Sequence, residues 1–233
     1  YTLSLHDALP ILGNSMRRVL LSSLDGAKAT AIKVEGVQHE FSTAEGVIED
    51  VTDIVLNVKG LVFQAITDDI TSATAHVSAE GPCVVTGADL DIPTEFSLIN
   101  PEHVIATVAD GGQLDMDIRI GVGRGYRTAD ENKRSEDAIG IIPVDSLFSP
   151  VRRCTLNVAD TRVGQRTDYD KLVLEVETDG SITPTDAVVR AANIINQYMG
   201  AFLGLSETDS EEAEVASIFA NVDQESNADL DKQ

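Results

Sequence analysis

The most informative stretch of this chain reads Leu12-Gly13-Asn14-Ser15-Met16-Arg17-Arg18-Val19-Leu20-Leu21-Ser22-Ser23. Asn14 is a good helix N-cap. Apolar residues then recur at steps of three and four, which predicts an amphipathic helix: Met16, Val19, Leu20 and Leu24. Arg17 and Arg18 lie beside this apolar face. Because so short a helix with one apolar face is not stable alone, it must pack on its own sheet, on a partner, or on both.

The composition is that of a globular protein with an aliphatic core. The chain has 233 residues, of which 42% are hydrophobic and only 4% aromatic, enough for one or two domains. No window approaches the roughly 20 consecutive apolar residues of a membrane span, and no basic start leads into an apolar export signal. We therefore expect a soluble, cytoplasmic protein.

Cysteine and histidine are too sparse to indicate a disulfide framework or a metal site. Cys83 and Cys154 lie far apart in the sequence, so we expect two free, buried thiols. The histidines show no second ligand at metal-binding spacing: His6, His39, His76 and His103. The sequence therefore predicts neither a metal ion nor a cofactor in this chain.

The net charge of −22 argues against direct nucleic-acid binding, because contacts with phosphates need clustered Lys and Arg. Part of this charge is concentrated in residues 206–233, where nine acidic residues are accompanied by a single cation, Lys232. That stretch has little apolar periodicity, so we interpret it as an acidic flexible linker or tail. A membrane surface of anionic lipids is an equally unsuitable partner.

The middle of the chain reads as a strand that begins near Lys28, a helix, and several short strands. Apolar spacing predicts the helix over Val47–Val58, ending near Lys59-Gly60. Four strand-like runs follow: Leu61–Ile66, Ala73–Val77, His103–Val108 and Leu114–Val122. The polar stretch Arg127–Ala138 has no apolar period and is expected to be a mobile loop.

The last part of the chain combines a strand pair, Cys154–Val158 and Leu172–Val176, with a helix. Thr183 is the expected N-cap and Pro184 the first helical residue, and the helix runs to about Leu203. Its apolar stripe is wider than one docking face needs: Ala187, Val188, Ala191, Ile194, Ile195, Tyr198, Met199, Phe202 and Leu203. This width favours a helix that meets its own sheet and a partner, the alternative being complete burial in its own core.

The sequence contains no catalytic signature. The glycine-rich run Gly121–Tyr126 lacks both dinucleotide spacing and the lysine of a phosphate loop, so we interpret it as a tight turn. There is no Gly-x-Ser-x-Gly elbow and no His-Glu-x-x-His motif. Because carboxylates are abundant throughout, spacing alone cannot identify an acid and a base. We therefore predict no catalytic residues.

The first residues differ in character from the rest. Thr2–Ile11 looks like the in-frame translation of a common sequencing-adapter oligonucleotide. We interpret residues 1–11 as an artefactual segment and leave them out of the fold argument. Resequencing the 5′ end of the gene from an independent clone tests this hypothesis.

Residues 12–23 resemble the hallmark of the bacterial RNA polymerase alpha subunit, and further runs resemble the same family in the same order. These runs are Gly36–Thr43, Glu45–Val51, Leu56–Leu61, Val122–Tyr126 and Gln165–Leu172. The resemblance covers roughly Leu12–Leu205. Several long motifs in register are far more specific than any one short pattern.

The resemblance implies an α+β amino-terminal domain made of two subdomains. A dimerisation platform of helices and antiparallel sheet is split between residues 12–25 and 151–205, and a mixed α/β subdomain, residues 26–150, is inserted into it. In the family, the first and last helices pack against the same pair in a second copy. The implied dimer interface comprises Met16, Val19, Leu20, Leu24, Val188, Ala191, Ile195, Tyr198, Met199 and Phe202.

The resemblance also implies the partners, namely a second copy of the chain and the beta and beta-prime subunits of DNA-directed RNA polymerase. The implied contacts with the large subunits are Arg18, Leu21, Lys59 and Val144. The chain would then be a non-catalytic assembly scaffold for transcription, in a nucleotidyltransferase complex whose magnesium and zinc are held by the large subunits. The family's carboxy-terminal DNA-binding domain finds no match here, so no direct nucleic-acid contact is expected from this fragment.

A different reading remains open from the residues alone. An autonomous acidic α+β enzyme or ligand-binding domain would place its site in the insertion, residues 26–150. Such a protein should show polar side chains converging in a pocket, whereas a scaffold should expose a large apolar patch along its helices.

Overall fold

The computed structural model describes residues 5–67, 70–163 and 166–202. They fall into two compact units, divided after Ala191. In chain order the elements are α1 (Leu5–Ser22), β1 (Asp25–Val34), α2 (Val51–Lys59), β2 (Phe63–Ala65), β3 (Ser72–Glu80), β4 (Cys83–Thr86), β5 (Phe96–Leu98), β6 (Val104–Val108), β7 (Gln113–Arg124), β8 (Tyr126–Arg127), α3 (Ala129–Asn132), β9 (Ile141–Pro143), β10 (Ser146–Leu147), β11 (Val151–Val163), β12 (Arg166–Thr178) and α4 (184–202). The mixture of helices and antiparallel strands confirms the predicted α+β class.

A six-stranded antiparallel sheet forms the core of the first unit. Its order is β3-β7-β1-β2-β5, and β9 also pairs with β1. Because side chains alternate along a strand, β7 buries every second residue on one face: Leu114, Met116, Ile118 and Ile120. The helix α2 buries one face of its own in the same core, through Val51, Ile54 and Val58. Burial of each such side chain contributes about 1.5–3 kcal/mol.

The helix α2 ends at Lys59 as predicted, but it begins at Val51 rather than Val47. The carboxylate of Asp50 accepts a hydrogen bond from the Asp53 N–H at 2.8 Å and so caps the helix. The preceding residues pair with β6 instead: Val47 bridges to Val108, and the Ile48 N–H donates to the Thr107 carbonyl at 3.0 Å. Because Val47 and Ile48 fit the apolar spacing of a helix, the predicted helix began before its actual cap, Asp50.

The first helix is longer than predicted, and Asn14 is not its N-cap. α1 runs from Leu5 through Pro10 to Ser22, so Asn14 lies in its interior. The assignment of Asn14 is wrong because helical backbone continues through the residues before it, and a cap must stand at a helix end. α1 packs against the hairpin formed by β11 and β12.

Gly13 allows the close approach between α1 and that hairpin. It is buried, and a Cβ at this position would collide with the δ-methyl groups of Leu156 on β11 and Leu172 on β12. Both strands of this pair are longer than the sequence indicated, since the β-ladder extends from the Val151–Thr178 pair to the Val163–Arg166 pair. The absence of a side chain at Gly13 therefore lets α1 lie close to these two leucines.

The glycine-rich run interpreted as a tight turn is the end of a strand. β7 continues to Arg124, pairing Gly123 with Gly26 and Arg124 with Asp25 on β1. The chain turns only at Gly125, which has φ +63°. The tight-turn interpretation therefore holds at Gly125 and is wrong for the residues before it, which pair with β1. Gly123 instead allows close packing, since a Cβ there would lie 2.9 Å from the buried Phe148 ring.

The stretch Arg127–Ala138, predicted to be a mobile loop, contains the short helix α3 and a buried ion pair. The carboxylate of Glu131 accepts from the Thr128 N–H at 2.8 Å, and the Thr128 hydroxyl accepts from the Glu131 N–H, which forms a capping box. Asp137 pairs with Arg119 of β7 at 2.6 Å. The prediction failed because local capping and a distant arginine order this segment, and neither creates apolar periodicity.

Cys83 and Cys154 are free but half-buried rather than buried as expected. Each lies in a two-stranded sheet, on β4 and β11, which leaves part of its surroundings open. Among the described helices, none combines the length and apolar character needed to cross a bilayer. Within the same residues, no three His, Cys, Asp or Glu side chains gather in an arrangement that could bind a metal ion.

Candidate assembly surfaces

The outer face of α1 presents the first group of predicted contact residues. Arg18 is exposed and Leu21 is partly exposed, at 39%. Arg18 lies just before the last turn of the helix, and its carbonyl accepts a hydrogen bond from the Ser22 hydroxyl at 2.7 Å. Both side chains are therefore available to a partner.

The inner face of α1 belongs mainly to the chain's own core. Leu20 and Leu24 are buried, and Met16 and Val19 are half-buried. Of these four predicted interface residues, Leu20 and Leu24 are buried within the chain itself. Only Met16 and Val19 keep surface that another chain could cover.

The helix α4 starts where the sequence predicted. Pro184 is its first helical residue, and the Thr183 hydroxyl accepts from the Asp186 N–H at 3.2 Å. In the first unit, Ala187 and Ala191 are buried and Val188 is half-buried. Ala191 therefore has no surface to offer a second copy.

In the second unit, α4 displays a continuous apolar stripe. Tyr198, Met199 and Phe202 are 67%, 57% and 69% exposed, and Ile195 is half-buried. These four positions follow helical steps of three and four, so they lie on one face. Three large apolar side chains are therefore exposed side by side on the described part of this helix.

A third group of residues surrounds the end of α2. The Lys59 ammonium lies 2.7 and 2.8 Å from the two carboxylate oxygens of Asp145, and the Tyr126 hydroxyl donates to Asp145 Oδ2 at 3.1 Å. We call these three side chains the Lys59 cluster. The bonds from Lys59 lower the pKa of Asp145, and the carboxylate of Asp145 raises the pKa of Tyr126.

Val144, predicted as a contact with the large subunits, is only 1% exposed. Its side chain belongs to the hydrophobic core. A buried valine cannot contact a partner directly. A substitution at Val144 would therefore act indirectly, by displacing its neighbour Asp145.

A cavity of about 230 Å³ lies beside the Lys59 cluster and contains a second ion pair. Lys28 on β1 and Asp179 after β12 are 3.3 Å apart, with side chains 15% and 5% exposed. Burial lowers the pKa of Lys28, while Asp179 opposes this change. This pair links the residue after β12 to β1 of the large sheet. Removing one member would leave the other charge buried without a partner.

A larger cavity of about 670 Å³ is lined by residues of β1, β2, β7 and the segment before α4. Asp25 accepts from Arg124 Nε at 2.5 Å, and Asp186 accepts from the Thr183 hydroxyl at 2.7 Å. No histidine, cysteine or lysine is among its described lining residues.

Sequence reasoning identified Lys59 but missed Asp145 and Tyr126. They lie 86 and 67 positions after Lys59 in the chain, and they reach it only because β8 and β10 pair next to the end of α2. An acidic residue in so acidic a chain gives no local signal of its role. The run Val122–Tyr126 did contain Tyr126, but as part of a motif rather than as a contact.

Comparison with known proteins defines the class. Residues 32–149 match the model of the RNA polymerase Rpb3/RpoA insert domain, and this chain belongs to that family. The match contains Lys59, Tyr126, Val144 and Asp145, whereas α1, the β11–β12 hairpin and α4 lie outside it.

The curated relatives extend the similarity to most of the chain. It is 53% identical over 201 residues to the DNA-directed RNA polymerase subunit alpha of Moorella thermoacetica, covering 86% of this chain and 64% of that protein. The alpha subunit of Carboxydothermus hydrogenoformans is 53% identical over 196 residues, covering 84% and 62%. That of Salinibacter ruber is 47% identical over 197 residues, covering 84% and 60%. The chain thus spans less than two thirds of the length of these relatives.

Proposed function

We propose that this chain is an assembly scaffold of DNA-directed RNA polymerase, which dimerises and recruits the beta and beta-prime subunits for transcription in the cytoplasm. The observation that carries this proposal is the coexistence of separate exposed surfaces, on α1, on α4 and at the Lys59 cluster. The relatives support the proposal through their shared name, DNA-directed RNA polymerase subunit alpha.

The chemistry of nucleotidyl transfer belongs to the large subunits in this proposal. Magnesium and zinc would be held by the large subunits, and the chain would contribute their relative placement.

The exposed surfaces of α1 and α4 would bind different partners. The α4 stripe would meet a second copy, since a symmetric dimer covers the same patch on both chains. Arg18 and Leu21 point away from the core-facing side of α1 and would meet beta. The guanidinium of Arg18 can donate several hydrogen bonds in a fixed geometry.

The experiment is size-exclusion chromatography with light scattering of this chain mixed with separately purified beta subunit. We expect a complex whose mass corresponds to two copies of the chain and one beta. Two species that elute separately with their own masses would contradict the scaffold proposal.

Replacement of Arg18 by alanine separates the two surfaces. We expect Arg18→Ala to leave the dimer mass unchanged and to weaken beta binding about tenfold or more, because a charge-assisted contact is lost. The control is Arg153→Ala, which removes an arginine that is equally exposed but lies on β11 at 4.0 Å from Glu177. Loss of the dimer in Arg18→Ala would show that this residue belongs to the other interface.

A further inference from the structure

Lys59 is held in place before any partner arrives. A lysine side chain normally samples many rotamers on its four-carbon stem. Here the ammonium bonds to both oxygens of Asp145, at 2.7 and 2.8 Å, and the side chains are 32% and 35% exposed. An ammonium has three N–H bonds, so with two of them aimed at Asp145 the third has a defined direction.

The backbone on both sides of Asp145 is fixed in turn. Asn132 of α3, which is buried, donates to the Val144 carbonyl at 2.6 Å and to the Ser146 hydroxyl at 3.0 Å. The Val144 N–H donates to the Thr30 carbonyl of β1 at 2.9 Å. The carboxylate of Asp145 therefore stands on a rigid support, although it lies at the surface.

An apolar rim borders the ammonium. Tyr126 and Leu147 are direct partners in the β8–β10 ladder, and they are 60% and 58% exposed. An exposed aromatic next to an exposed aliphatic and an oriented donor matches the composition of binding hot spots, in which apolar anchors exclude water around a polar contact.

We propose that Asp145 is a positioning residue for partner binding: it orients Lys59 beside the Tyr126–Leu147 rim so that its third N–H meets a carbonyl or carboxylate oxygen on a large polymerase subunit. This inference rests on the proposed scaffold function. Because Lys59 is paired with Asp145, the lysine acts as an oriented donor rather than as a free cation. Binding at this site then depends on geometry more than on ionic strength.

A double-mutant cycle tests whether Asp145 acts through Lys59. The full chain is prepared as wild type, Asp145→Asn, Lys59→Met and the double variant, and the dissociation constant is measured for beta and then for beta-prime on the preformed complex with beta. We expect Asp145→Asn to raise the dissociation constant about tenfold, at the same binding step that Lys59→Met weakens. In the Lys59→Met background, Asp145→Asn should raise it by less than about twofold. Asp110→Asn, an exposed aspartate after β6, controls for the loss of one negative charge.

The salt dependence supplies a readout that a purely structural role would not move. Because Asp145→Asn frees the lysine charge, we expect the affinity of that variant to fall more steeply with salt than the affinity of wild type. If Asp145→Asn lowers the melting temperature, Tyr126→Phe replaces it, since this change removes only the 3.1 Å bond to Asp145. Its effect should also disappear in the Lys59→Met background.

The outcomes separate this inference from the scaffold proposal. Wild type that binds neither large subunit contradicts the scaffold proposal. Wild type that binds normally, with Lys59→Met harmless at both steps or with Asp145→Asn equally harmful in both backgrounds, overturns the positioning role alone.

Discussion

Gly26 occupies a place on β1 where any side chain would collide with backbone. A Cβ there would overlap the carbonyl oxygen of Phe148, and the carbonyl carbon would be 3.0 Å away. Phe148 is itself fully buried, so its backbone cannot withdraw without moving the core. At Gly13, by contrast, the atoms in the way are the ends of leucine side chains, which can rotate.

We therefore expect Gly26→Ala to lower the free energy of unfolding by about 2–3 kcal/mol through overpacking. The matched variant is Gly13→Ala, where rotation of Leu156 and Leu172 and the better helix propensity of alanine should keep the loss below about 1 kcal/mol. Urea unfolding followed by circular dichroism measures both. Equal losses for the two variants would contradict the distinction between backbone and side-chain obstacles.

Asp137 shows how one carboxylate can make stability depend on pH. Its bonds to Arg119, at 2.6 Å, and to the Arg134 N–H, at 2.8 Å, hold its pKa below the ordinary value. The unfolded chain therefore takes up this proton at a higher pH than the folded chain does. The stabilisation is complete above the ordinary carboxyl pKa of about 4 and is lost as the pH falls below it.

We expect Asp137→Asn to cost about 3 kcal/mol at neutral pH, because it leaves the largely buried Arg119 without its counter-charge. The difference from wild type should shrink as the pH is lowered from 6 toward about 3, since wild type loses the same charge by protonation. Unfolding free energies across this range give the measurement. Glu177→Gln is the control, because Arg153 and Glu177 are both 66% exposed and such pairs contribute less than about 1 kcal/mol. If the difference in unfolding free energy between wild type and Asp137→Asn is the same at every pH, the charge of Asp137 does not stabilise the fold.

At the scale of elements, caps define helix ends more sharply than apolar spacing does. Asp50 starts α2 and Thr183 starts α4, each through its side-chain oxygen. The second cap was predicted because Thr183-Pro184 is an unmistakable start. The first was missed because Val47 and Ile48 extend the helical spacing of apolar residues ahead of Asp50.

The Thr183 cap can be removed without touching the core. We expect Thr183→Ala to lower stability by about 1 kcal/mol, because the Asp186 N–H loses its acceptor. Thr183→Ser keeps a hydroxyl in the same place and should retain most of the stability. Thermal unfolding of the three proteins distinguishes them, and identical melting temperatures for alanine and serine would show that the cap does not contribute.

At the scale of the whole molecule, the exposed stripe on α4 is the strongest indication of a partner. Tyr198, Met199 and Phe202 are exposed side by side in the part of the chain that the structure describes, and an apolar area of this kind is typical of a surface that binds a partner. Ile195 continues this stripe. A second copy would cover it symmetrically.

Ile195→Asp tests that expectation. A carboxylate placed in an apolar interface must give up its hydration, so we expect the dimer dissociation constant to rise about 100-fold or more. Gln197→Asp adds the same charge to an exposed position on the opposite face of α4 and should leave the dimer intact. Sedimentation equilibrium reports both masses. A dimer that survives Ile195→Asp would mean that the stripe faces something else.

The residues alone were sufficient for the α+β class, the family, the carboxyl-terminal end of α2 and the start of α4, because these follow from local spacing, capping chemistry and long motifs. Only the tertiary structure brought Asp145 and Tyr126 to Lys59, buried Val144, Leu20, Leu24 and Ala191, and ordered residues 128–138. Each of these outcomes depends on which strands pair and which faces meet, and such long-range contacts leave no periodic trace in the chain. The subdomain division and the partner contacts remain predictions that the experiments above address.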